Sequence, residues 1–340
     1  MQSFQPSFIL HLQKGKFAMS DAPIVITDCH HANVNAEKAV FEAAGIPWKL
    51  FQCETEDDLI ANCQGAVAAC NQRAPFTEKV FAALPELKMV VRYGDGVDNI
   101  DLEAATRYRV QVCNVPDYGT SEVANHALAM MLAITRKICQ ANEQVRAGRW
   151  TYTEMVPIQH LSNMTIGIIG LGRIGLAFAK RVHALGCKVI GFDIFTDHVK
   201  GDPECSFIEL TSEDDVLERA DLLSLHCSLN SQDAGLMNAE TFAKMKPGAM
   251  FINVTRGGLV DEKALADVLT SGHLSAAALD VTAKEPLPMD SPLRTAPNIL
   301  ITPHMAWYSV QAESNLKTRC AEEAVRGARG EKPRNPVNKL

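Results

Sequence analysis

The chain has 340 residues, 47% of them apolar, with a net charge of −7 and ten cysteines. That length exceeds the usual size of one hydrophobic core and predicts two domains. The acidic balance excludes a general electrostatic attraction to nucleic acid or to an anionic membrane, no apolar run reaches the roughly 18 residues of a membrane span, and small molecules are the expected partners.

The cysteines include no Cys-x-x-Cys pair and read as reduced, mostly buried thiols of a cytoplasmic protein, with neither a metal site nor a disulfide framework signalled. Residues 1–21 read as a disordered extension. Their stretch to Ser20 lacks acidic residues and has a short apolar core, but it has no Arg and no small-residue cleavage site, so a targeting role is the weaker reading and Met19 is a candidate initiator.

From residue 23 short apolar runs alternate with helical stretches, the pattern of a parallel sheet with crossover helices. Strands are expected in PIVITD, PWKLF, AVAAC, KMVVRY and VQVCNV, with helices around 35–44, 56–63, 77–84 and 99–108. An uninterrupted helix is expected from Ser121 to about Arg146, opened by Thr120 or Ser121 and ended by Gly148. Its apolar positions exceed one face, which predicts packing against a second subunit. A further series begins near Asn163 and runs through LLSLHC, AMFINV, AAALDV and NILITP, with helices starting near Ser212, Asn238 and Asp261 and a last one from Val310 to Ala328. The expected fold is α/β, with two Rossmann-like, doubly wound parallel-sheet domains and a cleft between them at the strand C-terminal ends.

The most specific stretch is residues 166–193, IGIIGLGRIGLAFAKRVHALGCKVIGFD. Ile166, Ile168 and Ile169 suit a buried strand. Gly170, Gly172 and Gly175 then permit a tight turn, close approach of backbone to a pyrophosphate, and helix-on-strand contact. The following helix directs its free N–H groups at the phosphates. Asp193, 18 residues past Gly175, can accept from a ribose and repel a 2′-phosphate, and residues 194–199 contain no Lys or Arg, so NAD is favoured over NADP.

Three segments end strands of this series with unusual polar side chains: Arg256 in FINVTRGGLVDE, Glu285 in ALDVTAKEPLP and His304 in LITPHMAWYS. An arginine there can hold a carboxylate through paired hydrogen bonds, and a histidine backed by a carboxylate can deliver a proton as hydride arrives. Taken singly they are also consistent with a salt bridge, a loop carboxylate before proline and a helix cap. In VVRYGDGVDNID, Tyr93, Gly94, Asp95 and Gly96 form a candidate substrate loop whose amides from Gly94 to Val97 can bind a carboxylate. A plain turn capped by Asp98 or Asn99 is equally compatible. Arg73 suits either a substrate phosphate or the surface, and Trp307 either a pocket wall or packing.

GLGRIG, NVTRGGLVDE, ALDVTAKEP, TPHMAWYS and GDGVDNID occur together in an order that resembles the D-isomer-specific 2-hydroxyacid dehydrogenase family. That family includes phosphoglycerate dehydrogenases, glyoxylate and hydroxypyruvate reductases, and the corepressors called C-terminal binding proteins. The resemblance implies an NAD-dependent oxidoreductase interconverting a D-2-hydroxy acid and its 2-oxo acid, with 3-phosphoglycerate the leading substrate and glyoxylate or hydroxypyruvate next. The alternative is an NAD(H)-sensing corepressor with little turnover. It further implies Arg256 as carboxylate and carbonyl binder, Glu285 as partner of the histidine and His304 as proton donor. Cofactor contacts are implied at Arg173, Ile174, Asp193, His226, Cys227, Thr255 and Asp280. The implied domains are 22–116 with 308–340 for substrate (flavodoxin-like) and 117–307 for NAD, with a dimerisation helix at 121–147 in a homodimer that can pair further. LHCSLN and HMAWYS look most like the C-terminal binding protein branch. Ser228 stands where a proline is common, and Asp95 where a small neutral residue is usual.

Overall fold

A computed structural model describes residues 22–229 and 234–340. The N-terminal stretch read above as an extension lies outside the described residues. The chain divides into two units, one running to Pro116 and resuming over Ser314–Leu340, the other Asp117–Glu313.

The first unit holds β1 (Ile24–Ile26), β2 (Trp48–Leu50), β3 (Ala68–Asn71), β4 (Met89–Arg92) and β5 (Gln111–Cys113), all parallel, in the order β2-β1-β3-β4-β5. This is the order of flavodoxin-like doubly wound sheets. Alternation divides the strands between two faces. Val25, Ala69, Val90 and Val112 join Phe76 and Phe81 in one core. Residues of the opposite parity meet the C-terminal helix Val310–Ala328: Cys320 Sγ lies 3.7 Å from the Val91 carbonyl, and a Cβ on Gly327 would stand 2.6 Å from Met89 Sδ. Only glycine lets that helix approach β4 so closely.

The second unit holds β6 (Thr165–Ile169), β7 (Lys188–Phe192), β8 (Ile208–Leu210), β9 (Leu222–Leu225), β10 (Ala249–Asn253), β11 (Leu274–Leu279) and β12 (Ile299–Ile301). The order is β12-β11-β10-β9-β6-β7-β8, again wholly parallel. Read from the other edge, it is the Rossmann order with a seventh strand added. One face packs Ile166, Ile168, Leu222, Ile252 and Ala278 against the helices Thr120–Thr135 and Arg173–Ala184. The other packs Leu223, Leu225, Phe251, Ala277 and Leu279 against Leu217, Phe242 and Leu265. Each large apolar side chain so buried contributes about 1.5–3 kcal/mol.

Both sheets show the expected two parallel-sheet α/β architecture. β8 was not anticipated, because three residues with exposed Glu209 at their centre leave no apolar run. Helix starts follow the caps: Ser212, Asn238 and Asp261 each accept first-turn amides with their side chains. In the first unit Asp101 caps the helix Leu102–Arg107, so neither Asp98 nor Asn99 does.

The uninterrupted helix from 121 to 146 is corrected. The chain forms Thr120–Thr135 and then Ile138–Arg146, with Lys137 between them at φ 53° and ψ 37°. The first piece buries Ala124, Ala127, Met130, Met131 and Ile134, whereas the second buries nothing, so the packing that holds the helix straight ends at Thr135. There the Thr135 hydroxyl donates back to the Met131 carbonyl (2.7 Å), and the Lys137 amide closes a tight turn onto Ile134 (3.2 Å). In a continuous helix, glycine at 137 would cost about 1 kcal/mol. In the left-handed conformation, Lys137→Gly is expected to be neutral or stabilising by up to about 1 kcal/mol, and Lys137→Val destabilising by about 1–2 kcal/mol. Unfolding midpoints of the two variants check the sign.

Candidate active site

The glycine turn joins β6 to the helix Arg173–Ala184. Gly170 has φ 94°, and a Cβ there would lie 2.4 Å from the Cys227 amide nitrogen. A Cβ on Gly175 would meet the Gly170 carbonyl oxygen at 2.0 Å. Among the described residues, an added Cβ at Gly172 would meet nothing within 4 Å. The outer glycines therefore serve packing, while the middle one leaves open space in front of a helix N-terminus that no side chain caps. This is the cradle a pyrophosphate requires, and the residues fit a dinucleotide. Asp193, just past β7, accepts from the amides of Leu171 (2.6 Å) and Phe195 (2.8 Å), which holds its carboxylate beside the turn. Arg173 is exposed and paired with Asp117 at 3.1 Å, and Ile174 is half-buried on the same first turn.

His226 lies under the turn. Its amide donates to the Ile169 carbonyl at 2.7 Å, its Nε2 lies 2.9 Å from Ser224 Oγ, and its ring stacks obliquely on Phe178 with centroids 5.0 Å apart. Burial pushes its pKa down to about 3. Half-buried Cys227 follows it, presenting its backbone to Gly170.

Arg256, Glu285 and His304 come from the C-terminal ends of β10, β11 and β12, which are neighbours in the sheet. Buried Asn253 shapes the first exit. Its Oδ1 accepts from the Thr255 amide (3.0 Å) and hydroxyl (2.9 Å), and its Nδ2 donates to the Arg256 carbonyl (2.8 Å). The Arg256 guanidinium is half-buried, with Nη1 donating to the Thr255 carbonyl at 2.8 Å. A Cβ on Gly257 would fall 1.9 Å from the Thr282 carbonyl carbon, so glycine alone lets the Arg256 turn lie against the chain that leads to Glu285. Glu285 Oε1 accepts from the Thr282 amide (3.2 Å), and Oε2 stands 2.7 Å from His304 Nδ1.

A carboxylate can only accept, so His304 Nδ1 carries a hydrogen and Nε2 is left for proton transfer. The imidazole is 39% exposed and its glutamate 33%. His304 itself adopts φ 54°, a conformation costing a non-glycine residue about 1–2 kcal/mol. Trp307 supports that backbone, its Nε1 donating to the His304 carbonyl at 3.1 Å while its ring leans on Tyr118. Asp280 is buried, and its oxygens accept from Thr302, Met305 and Ala306. Thr302 and His126, which bonds to it, were missed in the sequence; a lone histidine inside an apolar helix was the available signal.

In the first unit, Gly94 takes φ 134° and opens the GDGVDNID loop. The Asn114 amide donates to the Asp95 carbonyl (2.8 Å) and to its Oδ1 (3.1 Å), while half-buried Gly96 stands at the tip. Tyr93, expected as a substrate contact, turns its side chain inward: the phenol is buried and donates to Glu37 Oε1 at 3.1 Å. Arg73 is exposed, with its amide donating to Asp28 Oδ2 at 2.7 Å.

The signature described as "D-isomer specific 2-hydroxyacid dehydrogenase, NAD binding domain" matches residues 128–306, a little over half the chain. The chain belongs to this family. Among its members, the D-3-phosphoglycerate dehydrogenase of Mycobacterium leprae is 41% identical over 260 residues, 76% of this chain and 48% of that protein. The hydroxypyruvate reductase of Blautia hydrogenotrophica is 33% identical over 291 residues, 83% and 88% of the two chains. A solved protein of Thermus thermophilus superposes with a TM-score of 0.83 at 31% identity, covering 93% of this chain and 99% of that one. The chain spans about half the length of the phosphoglycerate dehydrogenases it matches. As a family member it carries an NAD-binding domain, and the matched range includes the glycine turn described above.

Folded, His226 stays neutral down to a pH of about 3, and unfolded it protonates near its ordinary 6.5. The unfolded state therefore binds the extra proton between these values. Its depressed pKa contributes stability that is complete above 6.5 and is lost as pH falls toward about 3, at up to about 1.4 kcal/mol per unit. His226→Gln is expected to flatten the upper, experimentally accessible part of that loss, measured as the urea midpoint against pH beside the wild type.

Proposed function

We propose that the protein is an NAD-dependent oxidoreductase interconverting a D-2-hydroxy acid and its 2-oxo acid. The observation that carries this reading is the Glu285–His304 hydrogen bond, 2.7 Å long, on the sheet edge that also bears the open glycine turn. NADH supplies a hydride to the 2-carbon when it is bound. Glu285 stabilises the imidazolium through Nδ1–H, and His304 Nε2 gives its proton to the carbonyl oxygen as negative charge develops there. In the oxidative direction neutral His304 takes the hydroxyl proton. Arg256 pairs with the substrate carboxylate and so orients the adjacent 2-carbon for hydride transfer. Asp193 selects NAD over NADP by meeting the ribose with a carboxylate.

Phosphoglycerate is the leading substrate, supported by the 41% identity to a phosphoglycerate dehydrogenase, with hydroxypyruvate and glyoxylate next. The thiols, mostly buried, support a cytoplasmic location. Among the described residues no helix is long and apolar enough to cross a membrane.

NADH oxidation against glyoxylate, hydroxypyruvate, pyruvate and 3-phosphohydroxypyruvate, with NADPH in parallel, tests the activity. His304→Ala is expected to lower turnover by about 10²- to 10⁴-fold while NADH affinity is retained. Tight NADH binding with no turnover across the panel would instead favour a cofactor-sensing binding protein, and a fully active His304→Ala would remove the mechanism.

The same proposal includes a homodimer. Ile138, Val145, Trp150, Tyr152 and Val156 are exposed in and after the helix Ile138–Arg146, with Trp150 at 89%. Apolar groups so placed fit burial against a second copy. Trp150→Glu should shift the mass measured by light scattering from dimer toward monomer; an unchanged mass would move the contact elsewhere.

A further inference from the structure

Asp280 follows β11, and four donors from the segment carrying His304 converge on it. Thr302 Oγ1 donates to Oδ1 at 2.5 Å, the Met305 amide to Oδ1 at 3.0 Å, the Ala306 amide to Oδ2 at 2.8 Å, and the His304 amide to the Asp280 carbonyl at 2.8 Å. The single hydroxyl proton of Thr302 is thereby committed to the carboxylate. His126 Nε2 stands 3.0 Å from the same hydroxyl oxygen, so it must be the donor there and carry a hydrogen. Its distance to Asp280 Oδ1 is 3.7 Å. The chain of bonds has one direction: His126 Nε2–H to Thr302, Thr302 O–H to Asp280. Its far end is anchored, because Ala124, Ala127 and Met130 on the same helix are buried in the core of the second unit.

We propose that His126 and Thr302 are positioning residues for the proton transfer, acting through Asp280. His304 is held in a left-handed conformation that its own side chain disfavours. The Asp280 carboxylate grips the two amides that follow it, and the Asp280 carbonyl grips its own. Thr302 and His126 orient that carboxylate, and through it the imidazole that faces Glu285. Neither residue is assigned a contact with substrate or cofactor. The inference rests on the dehydrogenase reading above for its kinetic consequence, but not for its structural one.

The test pairs disruptive with conservative variants. Thr302→Val and His126→Phe remove the bonds; Thr302→Ser keeps the hydroxyl, and His126→Gln offers an amide N–H. With the 2-oxo acid that the wild type turns over, the disruptive variants should lose about 10- to 100-fold in kcat, with NADH affinity and KM little changed. The conservative variants should recover most of that loss, which a merely packing role would not require. Independently of turnover, hydrogen exchange of the full-length protein should show the amides of Met305 and Ala306 exchanging faster in the disruptive variants, with β6 unaffected. Unchanged exchange at those two amides overturns the proposal, as does an active wild type whose disruptive variants keep its kcat. A wild type inactive on every 2-oxo acid sinks the dehydrogenase reading, and the exchange result still decides the positioning role. If Thr302→Val fails to fold, the His126 pair, at a site 20% exposed, decides it.

Discussion

Parallel pairing obliges every strand of the seven-stranded sheet to release its chain at the same edge, and the rest of the molecule is arranged around that obligation. β6 leaves into the glycine turn, β7 into Asp193, β9 into His226 and Cys227, β10 into Arg256, β11 into Asp280 and Glu285, and β12 into His304. Residues spread over more than 130 positions of sequence become neighbours because the sheet sorts strand ends before any side chain is chosen. An antiparallel pair would send half of these exits to the opposite edge.

Crowding at that edge is the cost, and glycine meets it. Gly170, Gly175 and Gly257 each touch backbone where a Cβ cannot fit, whereas Gly172 faces open space. The first three are packing glycines and the fourth is not, a difference invisible in their spelling. At the same edge His304 adopts φ 54°. Strain of this kind persists only where the surroundings over-determine it. The Asp280 contacts on residues 302–306 and the Trp307 bond to the His304 carbonyl supply that constraint. The loop so held presents an imidazole whose tautomer is set by Glu285.

Much of the architecture was legible because buried parallel strands must be apolar on both faces, which writes them as short runs such as AMFINV and LLSLHC. Helix starts at Ser212, Asn238 and Asp261 were legible because their side chains replace missing backbone partners. β8 was not, since an edge strand of three residues needs no apolar run. The break at Lys137 was not either: no Gly or Pro marks it, and it is set by where the core stops covering the helix. Asp280 carried an implied cofactor role from resemblance, yet only the packed chain shows both its oxygens already engaged by neighbouring amides and a hydroxyl. Tyr93 was expected at the substrate, but its phenol finds Glu37 inside the first unit.

Residue types and their spacing suffice for the fold class, the dinucleotide turn and the chemistry that arginine, glutamate and histidine could perform, because these depend on local periodicity, backbone freedom and functional groups. Which groups meet is decided by packing. The Glu285–His304 bond joins two different strand exits, and the His126–Thr302–Asp280 chain joins a helix to a sheet across 176 positions of sequence. Hydrogen bonds act over about 3 Å, a distance that periodicity along the chain cannot specify and that only the folded arrangement of strands and helices brings about.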